Sequence, residues 1–309
     1  MKKLTIFILS FILLMGLVSG SVLAQNGDPI VLGEGDWPGF RAKNSIVEFI
    51  LENIGYEVER TTARDPILHQ GLTQGDIDIH IGSWMPQNTD MRKKYKGQVN
   101  YVTQNMTEGV YIMAVPQYVW EAGVKSHADL DKYADKFDKK LYVGPAGWAS
   151  SQKMNKAIDE DIYGLGDWTA VNSSQSAMMA QLGKSIEDKD WICFVGWKPH
   201  WMNTQYDIKY LKDPKRLWES PYSWVDTLTR PGFEEDYPQV YRFLQQFRVD
   251  VEDNSQWINE IGFEERDEME VAEEWVRNNI LKVRRWLSLV KTPEGNNAYQ
   301  TLLENLNMN

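Results

Sequence analysis

The segment GDIDIHIGSWMP, residues 75–86, combines a strand pattern with a loop that contains tryptophan and proline. Isoleucine at positions 77, 79 and 81 alternates with polar residues, which is the period of a half-buried β-strand. Gly75 closes a short predicted helix over residues 66–73, and Trp84 and Pro86 follow the predicted strand. A helix, a strand and a loop in this order predict an α/β fold.

The same alternation continues on both sides of this segment. The predicted strands cover residues 29–33, 56–60, 77–81, 111–116, 140–143 and 191–195. The predicted helices cover residues 45–53, 66–73, a segment opened by Ser150 or Ser151, 176–184 and most of 234–290. Because the order of strand, loop and helix occurs in two successive stretches, we predict a two-lobed α/β protein.

Composition and motifs exclude several classes of protein. The chain has 309 residues, of which 33 are basic and 44 acidic, for a net charge of −11. Such an acidic chain is unsuited to nucleic acid, because affinity for the phosphate backbone comes from Lys and Arg. The single Cys193 excludes an internal disulfide and a Cys-based zinc site. The sequence has no P-loop, His-Glu-x-x-His or Gly-x-Ser-x-Gly motif, so we expect no enzymatic activity, cofactor or metal.

Residues 1–24 have the organisation of a secretory signal peptide. Lys2 and Lys3 precede an apolar stretch over residues 4–18, and small residues including Ala24 stand at the cleavage position. The alternative is a transmembrane anchor, but the apolar stretch is shorter than the roughly 20 residues that a spanning helix needs. We therefore expect cleavage near Ala24 and a periplasmic protein.

The 13 tryptophans fall into groups according to their position. Several lie at helical spacing in the C-terminal region, where aromatic residues usually pack in a core; they are Trp257, Trp275 and Trp286. Four others are expected just past the carboxyl ends of strands, next to Gly or Pro; they are Trp37, Trp84, Trp148 and Trp197. In open α/β sheets this is where ligands bind.

Four indole rings around one crevice would form an aromatic cage for a cation. The π faces are negative, and a quaternary ammonium group has no N–H groups that need partners, so it suits such a cage. Three or four contacts of about 0.5–2 kcal/mol each, with buried methyl area, approach the roughly 8 kcal/mol of a micromolar complex. Two alternatives remain open: the rings only fill the ends of the lobes, or they stack on the sugar rings of a carbohydrate.

At these motifs the sequence resembles the substrate-binding proteins of glycine betaine, proline betaine and choline ABC importers. The resemblance covers the chain after residue 24. It is carried by the Trp37 loop, residues 75–79 leading into 84–86, residues 108–111 with 115–116, and GWKPHW at 196–201 with YDIKYL at 206–211.

The resemblance implies two α/β lobes joined by crossover strands near residues 111–116 and 209–213. Residues 25–112 plus 213–309 would form lobe one, and residues 113–212 would form lobe two. It also implies an inner-membrane ABC permease as partner, and we expect the protein to be monomeric.

Further candidate ligand contacts lie near the cage, and the resemblance itself points to His200 among them. His200 would donate to a carboxylate, with help from backbone N–H groups at the helix start over residues 149–152. Tyr111 would form a wall of the cage or belong to the core. Glu108 would be a buried acid that complements the cation or, when protonated, donates to an N-oxide; alternatively it would be a hinge residue. Arg41 would be a carboxylate partner or a solvent-exposed side chain.

Three ligands fit this set of residues. His200 favours glycine betaine, whereas the fourth indole, Trp148, favours the smaller trimethylamine N-oxide. In the choline-binding branch an acidic residue follows the first cage tryptophan and contacts the choline hydroxyl. Here Pro38 and Gly39 occupy that stretch, so choline is the least expected of the three.

Overall fold

The computed structural model describes residues 28–308 apart from 36, 219 and 221, and within them the chain forms nine strands and thirteen α-helices. The expected signal peptide lies outside the described residues. The strands are β1 (Ile30–Glu34), β2 (Val58–Thr62), β3 (Ile79–Met85), β4 (Asn100–Pro116), β5 (Lys140–Gly144), β6 (Thr169–Asn172), β7 (Phe194–Lys198), β8 (Ile208–Tyr210) and β9 (Tyr222–Thr229). The helices are α1 (Pro38–Asn53), α2 (Asp65–Gln74), α3 (Thr89–Lys94), α4 (Gln117–Glu121), α5 (Ala149–Asp159), α6 (Gln175–Asp188), α7 (Met202–Gln205), α8 (Phe233–Asp236), α9 (Pro238–Gln246), α10 (Val251–Gly262), α11 (Glu268–Asn278), α12 (Ile280–Trp286) and α13 (Ala298–Asn305).

The strands form one mixed sheet, which confirms the predicted α/β class. Its order is β2-β1-β3-β9-β4-β7-β5-β6, with β8 also paired to β4. The outer strands pair in parallel, β1 with β2 and β3 at one end and β5 with β6 and β7 at the other. The long strand β4 connects the two ends, because residues 100–110 pair with β9 and residues 110–114 pair with β7.

The apolar side chains pack into two large clusters. The first core contains buried residues from 30–81 and 233–306, and the second core contains buried residues from 112–218. Trp257, Trp275 and Trp286 are buried in the first core, as their helical spacing predicted. The resemblance placed the return crossover at residues 209–213. In the structure the chain leaves the second core only after Trp218, because β8 still pairs with β4.

Several strands and helices have bounds that differ from the predicted ones; β4, predicted over residues 111–116, begins at Asn100. Strand β3 continues to Met85 because it pairs with β9, and β7 continues to Lys198 because it pairs with β4. Trp84 and Trp197 therefore lie inside strands, so the prediction that they follow the strand ends is wrong. Helix α1 begins at Pro38 rather than near residue 45, since proline is favourable in the first helical turn. Helix α5 begins at Ala149, directly after Trp148.

Within the described ranges, every helix is too short or too polar to cross a bilayer. In the same part of the chain, His, Cys, Asp and Glu side chains do not gather in a group of three that could hold a metal ion. Cys193 is buried and unpaired in the second core.

Candidate functional site

A cavity lies between the two cores. Its volume of about 270 Å³ is near the lower end of the range for small-molecule sites. Its lining comes from both cores. Lining residues before β4 are Trp37, Phe40, Asp65, Trp84, Gln87 and Asn88. Lining residues from β4 onward are Tyr111, Gly147, Trp148, Ala149, Gln152, Gln175 and Trp197. The structure thus brings the four predicted cage tryptophans and Tyr111 to one cavity.

The four indole rings form a connected set of walls. The ring of Trp37 has its centroid 6.2 Å from that of Trp84 and 6.4 Å from that of Trp197. Trp148 meets Trp197 edge to face, with centroids 5.3 Å apart and an interplanar angle of 83°. The rings are thus tilted against one another rather than stacked flat, and all four line the same cavity.

Two of these rings, those of Trp37 and Trp148, pack directly against a glycine that has no side chain to obstruct them. Trp37 precedes α1 in an extended conformation, and its ring folds over Gly39. A Cβ atom at Gly39 would lie 2.0 Å from the Trp37 ring. At Gly144, where φ is +74°, a Cβ atom would lie 2.8 Å from the Trp148 ring. Alanine at either position would displace a wall of the cavity.

Strand pairing fixes the other two rings. Trp84 pairs with Val225 of β9, and Trp197 pairs with Tyr111 of β4. Each tryptophan is followed two residues later by a proline with a cis peptide bond, at Met85–Pro86 and at Lys198–Pro199. The two rings are therefore held by the sheet itself, whereas Trp37 and Trp148 are held at helix starts.

Tyr111 forms a neutral wall of the cavity. Its hydroxyl donates to Ser150 Oγ at 2.8 Å, and the Ser150 Oγ donates to the carbonyl of Val143 at 2.7 Å. Burial raises the pKa of Tyr111 to about 12, so the phenol stays protonated at neutral pH. The hydroxyl is thus used to hold α5 against β4, and the ring remains available to a ligand.

His200 lies behind the cage and does not line the cavity. Its ring centroid is 4.6 Å from that of Trp197 and 6.3 Å from that of Trp37. Nδ1 accepts the backbone N–H of Met202 at 3.1 Å, and Nε2 lies 3.1 Å from the side-chain amide of Gln175. Burial lowers the pKa of His200 to about 3, so the imidazole is neutral.

These contacts assign the tautomer of His200. Since Nδ1 accepts a hydrogen bond, the ring proton is on Nε2, which donates to Gln175. The amide oxygen of Gln175 accepts that bond once the oxygen and nitrogen of the amide are assigned from the network. The NH2 group of Gln175 is then free to donate into the cavity. His200 does not line the cavity, and its hydrogen bond to Gln175 connects it to a residue that does.

The start of α5 adds further donors. Ala149 and Gln152 line the cavity in the first turn of this helix, whose Ncap residue is Trp148. The first N–H groups of a helix lack partners inside the helix and carry partial positive charge, so they attract an anion. The side of the cavity formed by α5 and Gln175 is therefore suited to the acceptor end of a zwitterion.

Several lining residues were not predicted from the sequence. They are Phe40, Asp65, Gln87, Asn88, Gly147 and Gln175. The rule about strand ends could have found three of them, because Asp65 follows β2 and Gln87 and Asn88 follow β3. The expectation at the strand ends was limited to tryptophan, so the polar residues in the same loops were not predicted.

The structure also places the two charged residues that were expected near the ligand, Glu108 and Arg41. Glu108 is exposed and has φ of 64° where β4 bulges against β9, so the expectation that it is a buried acid is wrong. The register shift between Met106 and Gly109 turns its side chain outward. Arg41 has a side chain that is 44% exposed and lies 3.5 Å from Glu268, which agrees with the solvent-exposed alternative.

Comparison with known proteins gives a consistent set of matches. The model of the family described as the substrate binding domain of ABC-type glycine betaine transport systems matches residues 28–278. The glycine betaine/carnitine transport binding protein GbuC of Listeria monocytogenes is 37% identical over 138 residues, or 45% of this chain. The matched segment spans 44% of that protein's length.

Solved structures match over most of the chain. A choline binding protein of an ABC transporter, in complex with choline, has 25% identity and a TM-score of 0.82, covering 90% of this chain and 98% of that one. Lactococcal OpuAC in its closed form with glycine betaine has 26% identity and a TM-score of 0.76, covering 84% and 99%. The glycine betaine, L-proline transporter binding protein ProX of Borrelia burgdorferi has 29% identity and a TM-score of 0.76, covering 89% and 99%.

Proposed function

Since the chain belongs to the family of substrate-binding domains of ABC-type glycine betaine transport systems, we propose that it captures glycine betaine or a related methylated ammonium osmolyte. The observation that carries the proposal is the convergence of Trp37, Trp84, Trp148 and Trp197 on one cavity of about 270 Å³. A methylated ammonium has no N–H groups that need partners, and π faces replace its weak hydration at low cost.

The proposed ligand fits the polarity of the cavity. The ammonium group lies among the four indole rings, which contribute about 0.5–2 kcal/mol each. The carboxylate points to the first turn of α5 and to the NH2 group of Gln175, which His200 orients from behind. Tyr111 completes the cage as a neutral wall, and no reaction is required of any of these groups.

We propose that the two cores belong to two lobes that close on the ligand. The lobes are the expected ones, residues 25–112 plus 213–309 and residues 113–212, except that residues 213–218 belong to lobe two because Trp218 packs in the second core. Trp37 and Trp84 come from one lobe, and Trp148 and Trp197 from the other, so a bound cation contacts both. A ligand that contacts both lobes stabilises the closed form over the open form. The closed protein, a monomer in the periplasm after cleavage near Ala24, delivers the ligand to an inner-membrane permease.

Trimethylamine N-oxide is a second candidate. Enclosure by four indoles and the small cavity favour a ligand with little beyond its methylated nitrogen. Its oxygen would accept from Gln175 or from the start of α5 as a carboxylate would. Choline is the third candidate, and a carbohydrate is the candidate from another class.

Isothermal titration calorimetry of the purified protein with glycine betaine, trimethylamine N-oxide, choline and a disaccharide tests the proposal. We expect micromolar or tighter binding of at least one methylated ammonium compound and none of the disaccharide. Binding of the disaccharide alone would refute the cage.

Single cage variants locate the site. Trp84→Ala and Trp148→Ala each remove one half-buried ring from the cavity and should weaken binding about five- to thirtyfold, from 1–2 kcal/mol per cation–π contact. Trp191→Ala is the matched control, because Trp191 is also half-buried but packs against Tyr133 and Phe137 away from the cavity. Equal losses in all three variants would contradict the assignment.

A further inference from the structure

Asp65 is the one charged side chain among the described residues that line the cavity. The other lining residues are aromatic, amide-bearing or small, and they include no Lys or Arg. The cavity wall therefore carries a net charge of −1. A ligand carboxylate would meet donors but no opposite charge, whereas a ligand cation would meet both π faces and an anion.

The surroundings of Asp65 leave its charge uncompensated. Its Oδ2 accepts a hydrogen bond from Asn88 Nδ2 at 3.0 Å, and its Oδ1 lies 3.7 Å from Nε2 of His80. Burial lowers the pKa of His80 to about 4, so this imidazole is neutral at pH 7. Among the described Lys and Arg side chains, none pairs with Asp65 within 4 Å. Lys43, near His80, points instead to Asn105 and the carbonyl of Ile81.

Asp65 also retains capacity to accept a hydrogen bond. Oδ2 is used by Asn88, whereas the distance from Oδ1 to His80 is too long for a hydrogen bond. The side chain is 33% exposed and lines the cavity. A ligand hydroxyl could donate to Oδ1, while a ligand carboxylate could not.

We propose that Asp65 is a specificity-determining residue, which favours methylated ammonium ligands with a net positive charge and a hydroxyl over zwitterions with a carboxylate. The inference rests on the proposed function, and it places choline ahead of glycine betaine among the candidate ligands given there. Choline and glycine betaine make the comparison direct, since they share a trimethylammonium group and a methylene and differ only in a hydroxymethyl against a carboxylate. Choline was the least expected ligand because Pro38 and Gly39 stand where the choline-binding branch has an acidic residue. In this structure Asp65, at the start of α2, places an acidic residue at the cavity instead.

The test compares the dissociation constants of choline and glycine betaine for the wild-type protein and for Asp65→Asn. We expect choline to bind Asp65→Asn about three- to tenfold more weakly, the range for a partly exposed charge pair, while glycine betaine binds as well or better. Asp65→Glu should keep most of the wild-type preference. Asp90→Asn is the matched control, because Asp90 lies on α3 with a side chain that is 98% exposed.

Asp65 is the first residue of α2, so Asp65→Asn could unfold the protein. A second measurement, on the wild-type protein, keeps the proposal testable in that case. Raising the ionic strength should weaken choline binding to the wild-type protein more than glycine betaine binding. An unchanged ratio of the two constants in Asp65→Asn, or equal weakening of both ligands, would overturn the role of Asp65 and leave the proposed function intact. Failure of every methylated ammonium to bind the wild-type protein would overturn both.

Discussion

Replacing Lys43 by methionine should change how the stability of the protein depends on pH. Lys43 lies on α1 and is 3% exposed, and its Nζ donates to Asn105 Oδ1 at 2.8 Å and to the carbonyl of Ile81 at 3.2 Å. Both acceptors are uncharged, so nothing compensates the loss of hydration. Burial lowers the pKa of Lys43 from its ordinary 10.5 to about 7.

The size of the effect follows from this pKa difference. Below pH 7 the lysine is charged in both states, and burying the charge costs the folded state about 5 kcal/mol, at about 1.4 kcal/mol per pKa unit. Between pH 7 and 10.5 the unfolded chain holds a proton that the folded protein lacks, so stability rises with pH. Above pH 10.5 the cost disappears. From pH 7 to pH 9 the wild-type protein should gain about 2 kcal/mol from this residue.

Lys43→Met removes that pH-dependent contribution and leaves Asn105 Oδ1 without its donor, which costs about 1–3 kcal/mol at every pH. The assay is urea unfolding followed by tryptophan fluorescence at pH 7, 8 and 9. The free energy of unfolding of the wild type, relative to Lys43→Met, should rise by about 2 kcal/mol across the series. Lys93→Met is the control, since Lys93 is 75% exposed on a helix. Parallel pH curves for the wild type and Lys43→Met would refute the reasoning.

Two further predictions concern the cage and its closure. Gly39→Ala should displace the Trp37 ring, because the new Cβ would lie 2.0 Å from it. Ligand binding measured by calorimetry should weaken about tenfold or more. An unchanged, wild-type affinity would show that the ring can adopt another position without loss of the site. In the proposed clamp, Phe263→Ala should weaken all ligands by a similar factor of about two to five, because the rings of Trp201 and Phe263 meet outside the cavity, with centroids 5.1 Å apart and planes tilted by 39°, and this contact would favour the closed form. Leu289→Ala, at a residue that is 76% exposed, is the control, and a loss confined to one ligand would contradict this role.

The contact between Trp201 and Phe263 is one part of a second connection between the cores. Gln205 Nε2 on α7 donates to Asn259 Oδ1 on α10 at 3.0 Å. His200, next to Trp201 in the chain, contacts the Trp201 ring with centroids 5.0 Å apart and planes tilted by 35°, and it also packs behind the cage. The segment from residue 197 to 205 therefore joins the ligand cavity to the outer contact.

The sequence by itself determined the α/β class, the core role of the C-terminal tryptophans and the tryptophans that share the cavity. These conclusions depend on local periodicity and on residue type, which do not require knowledge of distant partners. The position of Trp37 and Trp148 at the cavity could be predicted because each stands at the junction of a loop and a helix, and junctions of that kind gather at one edge of a sheet.

Only the tertiary structure decided which polar groups reach the cavity. Strand β9, from far along the chain, pairs between β3 and β4, and this pairing keeps Trp84 inside a strand and turns Glu108 outward. The position of His200 depends on α6, whose Gln175 stands between it and the cavity. Asp65 reaches the cavity because α2 packs beside β3. Such placements depend on contacts between distant segments, and a pattern along the chain does not contain them.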